Sequence, residues 1–406
     1  HATGDAVAEG PVSAESTVQI TKGPYLQNVT PNSVVVMWET LTATESRVDY
    51  GVAGANEWFV SDPALVTIHE VTLPALVANT RYLYAVTSGD TQSAVHSFWT
   101  APDNDTVPFR FAIYGDTRTY PTIHEMVANS MIPHEPDFVL HVGDFVNSGR
   151  IYTEWGPQYF TPAANLLKNT PLFGVLGNHE FSGTERIWYY DFFATPDNGV
   201  SGYREHWYAF TYGSARFIGL NACEGGGDSF APGSTQYQWL VNEFNSAAFQ
   251  NSHWQFVWMH NPPYTSAEQD NTVDQNLRAY LVPLFEQYGV DVVFSGDDHF
   301  YRHCLRNGIH YIVTGGGGAP LHGVGTPMAG ATVVFGATSA SATVLTPFHL
   351  TTTTPAGAVG AAVNVTVRNT SSSSSSSSLV GGFVYSANAN AVLATIGPRT
   401  VTENVR

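Results

Sequence analysis

The sequence predicts an α/β (α+β) protein in three parts: a β-sandwich over residues 18–102, an α/β domain over 107–325 and a β-rich segment over 326–406. Three observations give that division. Up to Pro102, short β-branched and aromatic runs alternate with turn residues. From Pro108 to about Pro320, strand-like runs alternate with stretches of helical apolar spacing. Beyond about Gly330 charge nearly vanishes, Ala, Thr, Ser and Val dominate, and eight serines fill positions 371–378.

In chain order, residues 1–17 are small and polar and read as a mobile tail or edge extension. Ser33–Glu39, Arg47–Gly51, Thr67–Leu73, Tyr82–Val86 and Ser97–Trp99 are strand-like, divided by Thr30-Pro31-Asn32, Gly51 and Ser88-Gly89-Asp90. Leu76 to Tyr82 reads as a tyrosine corner, whose hydroxyl closes back on the backbone, and Trp38 as a core residue. This part resembles a fibronectin type III module. Ala101–Thr106 is a polar linker. Strand-like runs follow at Phe109–Tyr114, Phe138–Val142, Pro171–Leu176, Trp254–Met259, Val290–Phe294 and Ile309–Thr314, with helical spacing at Thr122–Met131, Tyr237–Ala248 and Asp274–Tyr288. In the last part, Ala331–Phe335, Val363–Arg368 and Gly382–Tyr385 are β-like, and the serine tract reads as a linker.

Hydrophobic residues make up 43% of the chain, enough for full cores and too many for a disordered protein. The formal charge is −18 and only Lys22 and Lys168 are lysines, which excludes the basic face of a nucleic-acid binder and disfavours anionic membranes. No apolar run has the length of a membrane span. The chain begins at His1, as it would after removal of a secretory signal, and sequons at Asn28, Asn104, Asn364 and Asn369 fit a secreted or cell-surface glycoprotein. Cys223 and Cys304 leave two readings open, one bridge near the strand ends or two separate buried thiols.

Five of the strand-like runs end in metal-ligand residues: Gly115-Asp116-Thr117-Arg118, Gly143-Asp144-Phe145, Gly177-Asn178-His179-Glu180, Met259-His260-Asn261 and Gly296-Asp297-Asp298-His299. A single Gly-Asp is ordinarily a turn and a single His a core residue. In this order, at strand C-termini, they converge at one end of a sheet. Two neighbouring cations need a bridging carboxylate with oxygen and imidazole ligands on either side. Asp144 suits the bridge, Asp116 the first metal, Asn178 offers a carbonyl oxygen, and His260 and His299 supply imidazoles. His179 is placed to protonate a leaving group, with Glu180 orienting its ring. Arg118, at the expected start of the next helix, would clamp a phosphate oxygen. Tyr301 and His303 are expected to line the pocket, and His124 and His141 to be structural.

These motifs, together with Trp207–Gly213, Gly233–Leu240 and Tyr311–Leu321, resemble the calcineurin-like metallophosphoesterase superfamily, in the purple-acid-phosphatase-like branch with an N-terminal fibronectin-like domain. The resemblance spans about residues 20–325. It implies a four-layer αββα sandwich, two divalent or trivalent metal ions (Fe, Zn or Mn), and hydrolysis of phosphate monoesters, less often diesters, by a metal-bound hydroxide. It assigns Asp116 and His299 to the first metal, Asp144 to the bridge, Asn178 and His260 to the second metal, and His179 to the acid. Substrates would be phosphorylated small molecules or proteins. Two positions depart from the family pattern. Asn147 stands where purple acid phosphatases carry an iron-binding tyrosine. Asp297 replaces the first histidine of Gly-His-x-His, where a carboxylate would still bind metal and favour harder ions. The second reading is an extracellular structural or surface-filament protein that keeps a phosphatase fold with weak or no activity, marked by self-assembly.

Overall fold

The computed structural model describes residues 18–265 and 269–322, and beyond them the backbone of five strands. The expected tail lies outside the described residues.

Strands β1 (Ile20–Gln27), β2 (Val34–Gly51), β3 (Trp58–Leu73), β4 (Arg81–Ser88), β5 (Thr91–Gln92) and β6 (His96–Trp99) form the N-terminal part. The two runs expected at 33–39 and 47–51 are one strand, β2. Its first half pairs with β1 and its second with β4, while β3 follows both halves with register breaks between Glu39, Thr44 and Ser46. Trp38 is buried as expected and donates its indole N–H to Ser88 Oγ at 2.9 Å. The tyrosine corner is present: the Val77 N–H donates to Tyr82 Oη at 3.0 Å.

The following domain runs β7 (Phe111–Tyr114), α1 (Pro121–Met131), β8 (Phe138–His141), α2 (Tyr152–Trp155), α3 (Thr161–Leu167), β9 (Leu172–Gly174), α4 (Tyr189–Phe192), β10 (Tyr208–Tyr212), β11 (Ala215–Gly219), α5 (Thr235–Phe244), α6 (Ala247–Gln250), β12 (Trp254–Trp258), α7 (Thr272–Tyr280), α8 (Val282–Tyr288), β13 (Val292–Ser295), β14 (Tyr301–Arg306) and β15 (Ile309–Thr314). All six expected strands are there. The helix expected at 274–288 is two, because Pro283 supplies no N–H and opens α8 instead. That expected at 237–248 is broken at Asn245, and the Ser246 hydroxyl caps the next turn. The helical stretch from 152 to 167 escaped sequence reading because Gly156-Pro157 and Thr161-Pro162 look like loop punctuation. Here a π-helical segment at 156–160 joins α2 to α3.

Side chains alternate across each strand, and that alternation builds the layers. Parallel strands β7, β8 and β9 form one sheet; β10–β15 form the other, in the order β10-β11-β12-β13-β15-β14. Phe138, Leu140, Phe173, Phe217, Phe256 and Phe294 meet between the sheets. Their neighbours Val139 and Leu172 pack outward under α1 and α3, and Ile218, Val257 and Val293 under α5, α7 and α8. The result is the αββα sandwich. β1 adds to β9 in parallel at Gln27 and Leu172, so the N-terminal sheet runs into the first sheet of the sandwich.

Strands β16 (Thr332–Phe335), β17 (Thr338–Thr346), β18 (His349–Thr352), β19 (Ala362–Arg368) and β20 (Ser376–Val384) make a separate sheet ordered β18-β17-β16-β19-β20. Ser376, Ser377 and Ser378 pair in it with β19, so the end of the serine tract is strand rather than linker. Residues 371–375 and the sequon at Asn369 lie outside the described residues.

Candidate metal centre

Each strand-end motif delivers its side chain to one place, above the C-terminal ends of β7, β8, β9, β12 and β13. Ligand atoms of Asp116, Asp144 and His299 lie within 4.8 Å of one another, and all three residues are buried. Their backbones turn sharply: Asp116, Asp144 and Asp297 have φ of 56°, 58° and 63°. Gly143, at φ 97°, permits this at the centre, where a Cβ would stand 2.8 Å from His260 Nδ1.

The imidazoles of His260 and His299 are held the same way. His260 Nδ1 faces the Val142 carbonyl at 2.8 Å, and His299 Nδ1 faces the Pro320 carbonyl at 2.6 Å. Donation there fixes the tautomer and leaves each Nε2 pointing into the cluster. His260 Nε2 stands 3.0 Å from Asn178 Oδ1, 3.3 Å from Asp144 Oδ1 and 3.5 Å from Asp297 Oδ1. His299 Nε2 stands 3.5 Å from Asp116 Oδ1.

The electrostatics call for cations. Burial raises the Asp116 carboxyl above the usual range, and its Oδ2 is buried with no hydrogen-bond partner. Burial acts to lower His260, but Asp144, Asp297 and Asp116 outweigh it and hold it well above an ordinary histidine. Burial likewise opposes, and Asp116 overcomes, the charge on His299, which is also raised. Carboxylates crowded in a dry site around one unpaired oxygen fit metal ions better than they fit one another.

Around this cluster several expectations need correction. Glu180 does not orient His179. Its carboxylate accepts the backbone N–H groups of Asp144, Phe145 and Gly177 at 2.8, 2.9 and 2.7 Å, clamping the loop that carries the central aspartate. His179 is instead held by the Asn147 carbonyl, 2.6 Å from its Nδ1, with Nε2 3.8 Å from Asp144 Oδ2. Arg118 precedes α1 rather than starting it, because the turn through Thr119 delays the helix to Pro121. Its Nε lies 3.1 Å from Asp144 Oδ2 and its Nη2 3.4 Å from His299 Nε2. Asp298 Oδ1 lies 3.8 Å from His322 Nδ1, and the His322 ring stacks on His299 with centroids 3.9 Å apart. Tyr301 lines a separate hollow with Ile113, Val127 and Met131, and His303 pairs with His310 at 2.8 Å, so neither faces the cluster. His124 and His141 are buried and hydrogen-bonded, as structural histidines should be. Cys223 and Cys304 are separate buried thiols.

One residue that sequence reading passed over is Asn261. It is fully buried, and its Nδ2 donates to Asp297 Oδ2 at 2.7 Å and to Asp274 Oδ1 at 3.2 Å. Its position beside His260 was the available signal.

An αββα sandwich with an oxygen-and-imidazole cluster at its strand ends has the layout of a metal-dependent hydrolase. Residues 109–301 match the calcineurin-like phosphoesterase family, and residues 23–100 match the purple acid phosphatase N-terminal domain. The chain therefore joins a purple acid phosphatase N-terminal domain to a calcineurin-like phosphoesterase domain. It is 27% identical over 346 residues to a purple acid phosphatase of Glycine max, covering 78% of this chain and 71% of that protein. It is 25% identical over 345 residues to the Fe(3+)-Zn(2+) purple acid phosphatase 12 of Arabidopsis thaliana, covering 79% and 72%. In fold it is similar to a purple acid phosphatase from Lupinus luteus seeds, with a TM-score of 0.59 at 18% identity over 89% of this chain and 73% of that one. Among the described residues no helix is long and apolar enough to cross a membrane.

Proposed function

We propose that the chain is an extracellular phosphate-monoester hydrolase working with two metal ions. Asp116 and His299 would hold the first ion, Asn178, His260 and Asp297 the second, and Asp144 would bridge them. The observation that carries this reading is the pair of imidazoles, each pinned through Nδ1 to a backbone carbonyl and turned through Nε2 onto carboxylates. Bound there, such ions polarise a phosphoryl oxygen and lower the pKa of a water molecule.

The chain's own groups do the rest. Arg118 reaches the cluster beside Asp144 and His299, where its fork of donors would suit phosphoryl oxygens. His179 is fixed through Nδ1, so its Nε2 would carry the proton delivered to the leaving oxygen. Its side chain is 26% exposed, which leaves room for that oxygen to approach. Asn147 accepts from Thr119 Oγ1 at 2.7 Å and offers no phenolate, so a purple iron–tyrosinate centre is not expected. The sequon at Asn104 lies exposed on the linker between the parts, which supports an exported protein.

The test is steady-state turnover by the metal-loaded chain of an alkyl phosphate monoester, whose basic leaving oxygen needs the proton. His179→Ala should lower kcat by about 10²–10⁴-fold while KM moves little. Unchanged kcat would remove His179 as the acid, and faster hydrolysis of bis-p-nitrophenyl phosphate than of p-nitrophenyl phosphate would overturn the monoester assignment.

A further inference from the structure

We infer that Asp297, positioned by Asn261, makes the second metal position oxygen-rich and shifts its preference from zinc toward a harder divalent ion such as manganese. This rests on the two-metal reading above and deepens it.

The donors that face His260 Nε2 are all oxygens: Asn178 Oδ1, Asp144 Oδ1 and Asp297 Oδ1. One imidazole therefore stands among three oxygen donors. Carboxylate and carbonyl oxygens suit Mg, Ca and Mn, whereas added imidazole favours Zn and Cu. Asp297 decides the balance, because it is the donor on that side whose exchange for histidine would make the set two nitrogens and two oxygens.

Its geometry is built rather than incidental. The residue is in the left-handed region, and its Oδ2 is tied by the Asn261 amide, leaving Oδ1 toward the cluster. Asn261 is saturated in turn. Its Oδ1 accepts the Glu224 N–H at 3.0 Å, its own N–H donates to the Ala222 carbonyl at 3.2 Å, and its amide also reaches Asp274 Oδ1. Asp274 Oδ2 accepts the Asn271 N–H at 3.0 Å in the capping box that starts α7. The orientation of Asp297 is thus anchored to a helix terminus through one buried asparagine, which acts as a positioning residue.

The experiment is competitive titration of the metal-stripped chain with Mn²⁺ and Zn²⁺ against a chromogenic chelator, with no substrate present. Asp297→His should raise the zinc-to-manganese affinity ratio at one of the two sites by roughly tenfold or more. Asn261→Leu should weaken manganese binding by about 10–100-fold without creating a zinc preference. Equal ratios in the wild-type chain and Asp297→His would overturn the inference while leaving a metal-binding phosphatase. Absence of two bound ions in all three proteins would overturn both readings.

Discussion

Asp116, Asp144 and Asp297 each hold a backbone conformation that side chains other than glycine seldom adopt, at roughly 1–3 kcal/mol apiece. Three such residues around one cluster would drift toward relaxed turns unless something held them. For Asp144 that hold is Glu180, which accepts three N–H groups from the two loops meeting at the cluster. Burial, added to by the Asp144 charge, pushes the Glu180 carboxyl up to about 8, while the N–H donors oppose the shift. Glu180→Gln places an amide N–H against at least one of those donors. It should destabilise the chain by about 1–3 kcal/mol and weaken metal binding by about 10–100-fold. Denaturant unfolding and a metal titration on the same variant check the two effects; unaltered metal affinity would show that the clamp does not set the site.

At the scale of elements, strands were the legible part, because each of the six runs from Phe109 to Thr314 is apolar, short and bounded by glycine or polar residues. The five motifs followed from them, since a ligand after a strand has only one end of a sheet to occupy. What stayed hidden depends on contacts between distant segments. Glu180 is adjacent to His179 in sequence yet turns to other loops. Asp297 needs Asn261 on another strand end, and the α2–α3 stretch hides its helix behind two prolines. The β2–β3 hairpin shows the same limit. Where its register breaks, His69 on β3 lies between Thr40 Oγ1 and Ser46 Oγ on β2, each at 2.8 Å, and stacks on Trp38. Burial lowers His69 to about 4 against an unfolded value near 6.5. The neutral ring therefore contributes stability that is fully present above about 6.5 and is lost as pH falls toward about 4. Thermal unfolding at steps from pH 7 to pH 4.5 should show a steeper fall for the wild type than for His69→Gln. Parallel curves would mean that the ring titrates normally.

Across the whole molecule, the aromatic core between the sheets fixes how the ligand loops of one sheet face those of the other. Phe173 stacks on Phe210 at 3.9 Å, and Phe138 meets Phe217 edge-on at 5.3 Å, so Asp144 and Asn178 from the first sheet confront His260 and Asp297 from the second. The N-terminal part is fastened to this frame through β1 and β9, and through Tyr25 Oη, which donates to the Phe192 carbonyl at 2.9 Å. Its contribution is support for the sheet that carries Asp116 and Asp144. The central claim is that this frame gathers two metal ions for phosphate-ester hydrolysis. Metal content of the purified chain, with p-nitrophenyl phosphate turnover measured on the same sample, tests it most directly. The account predicts close to two ions per chain and turnover that Asp144→Ala abolishes together with metal binding. One ion or none, with no turnover after supplying Zn, Mn and Fe, would contradict it.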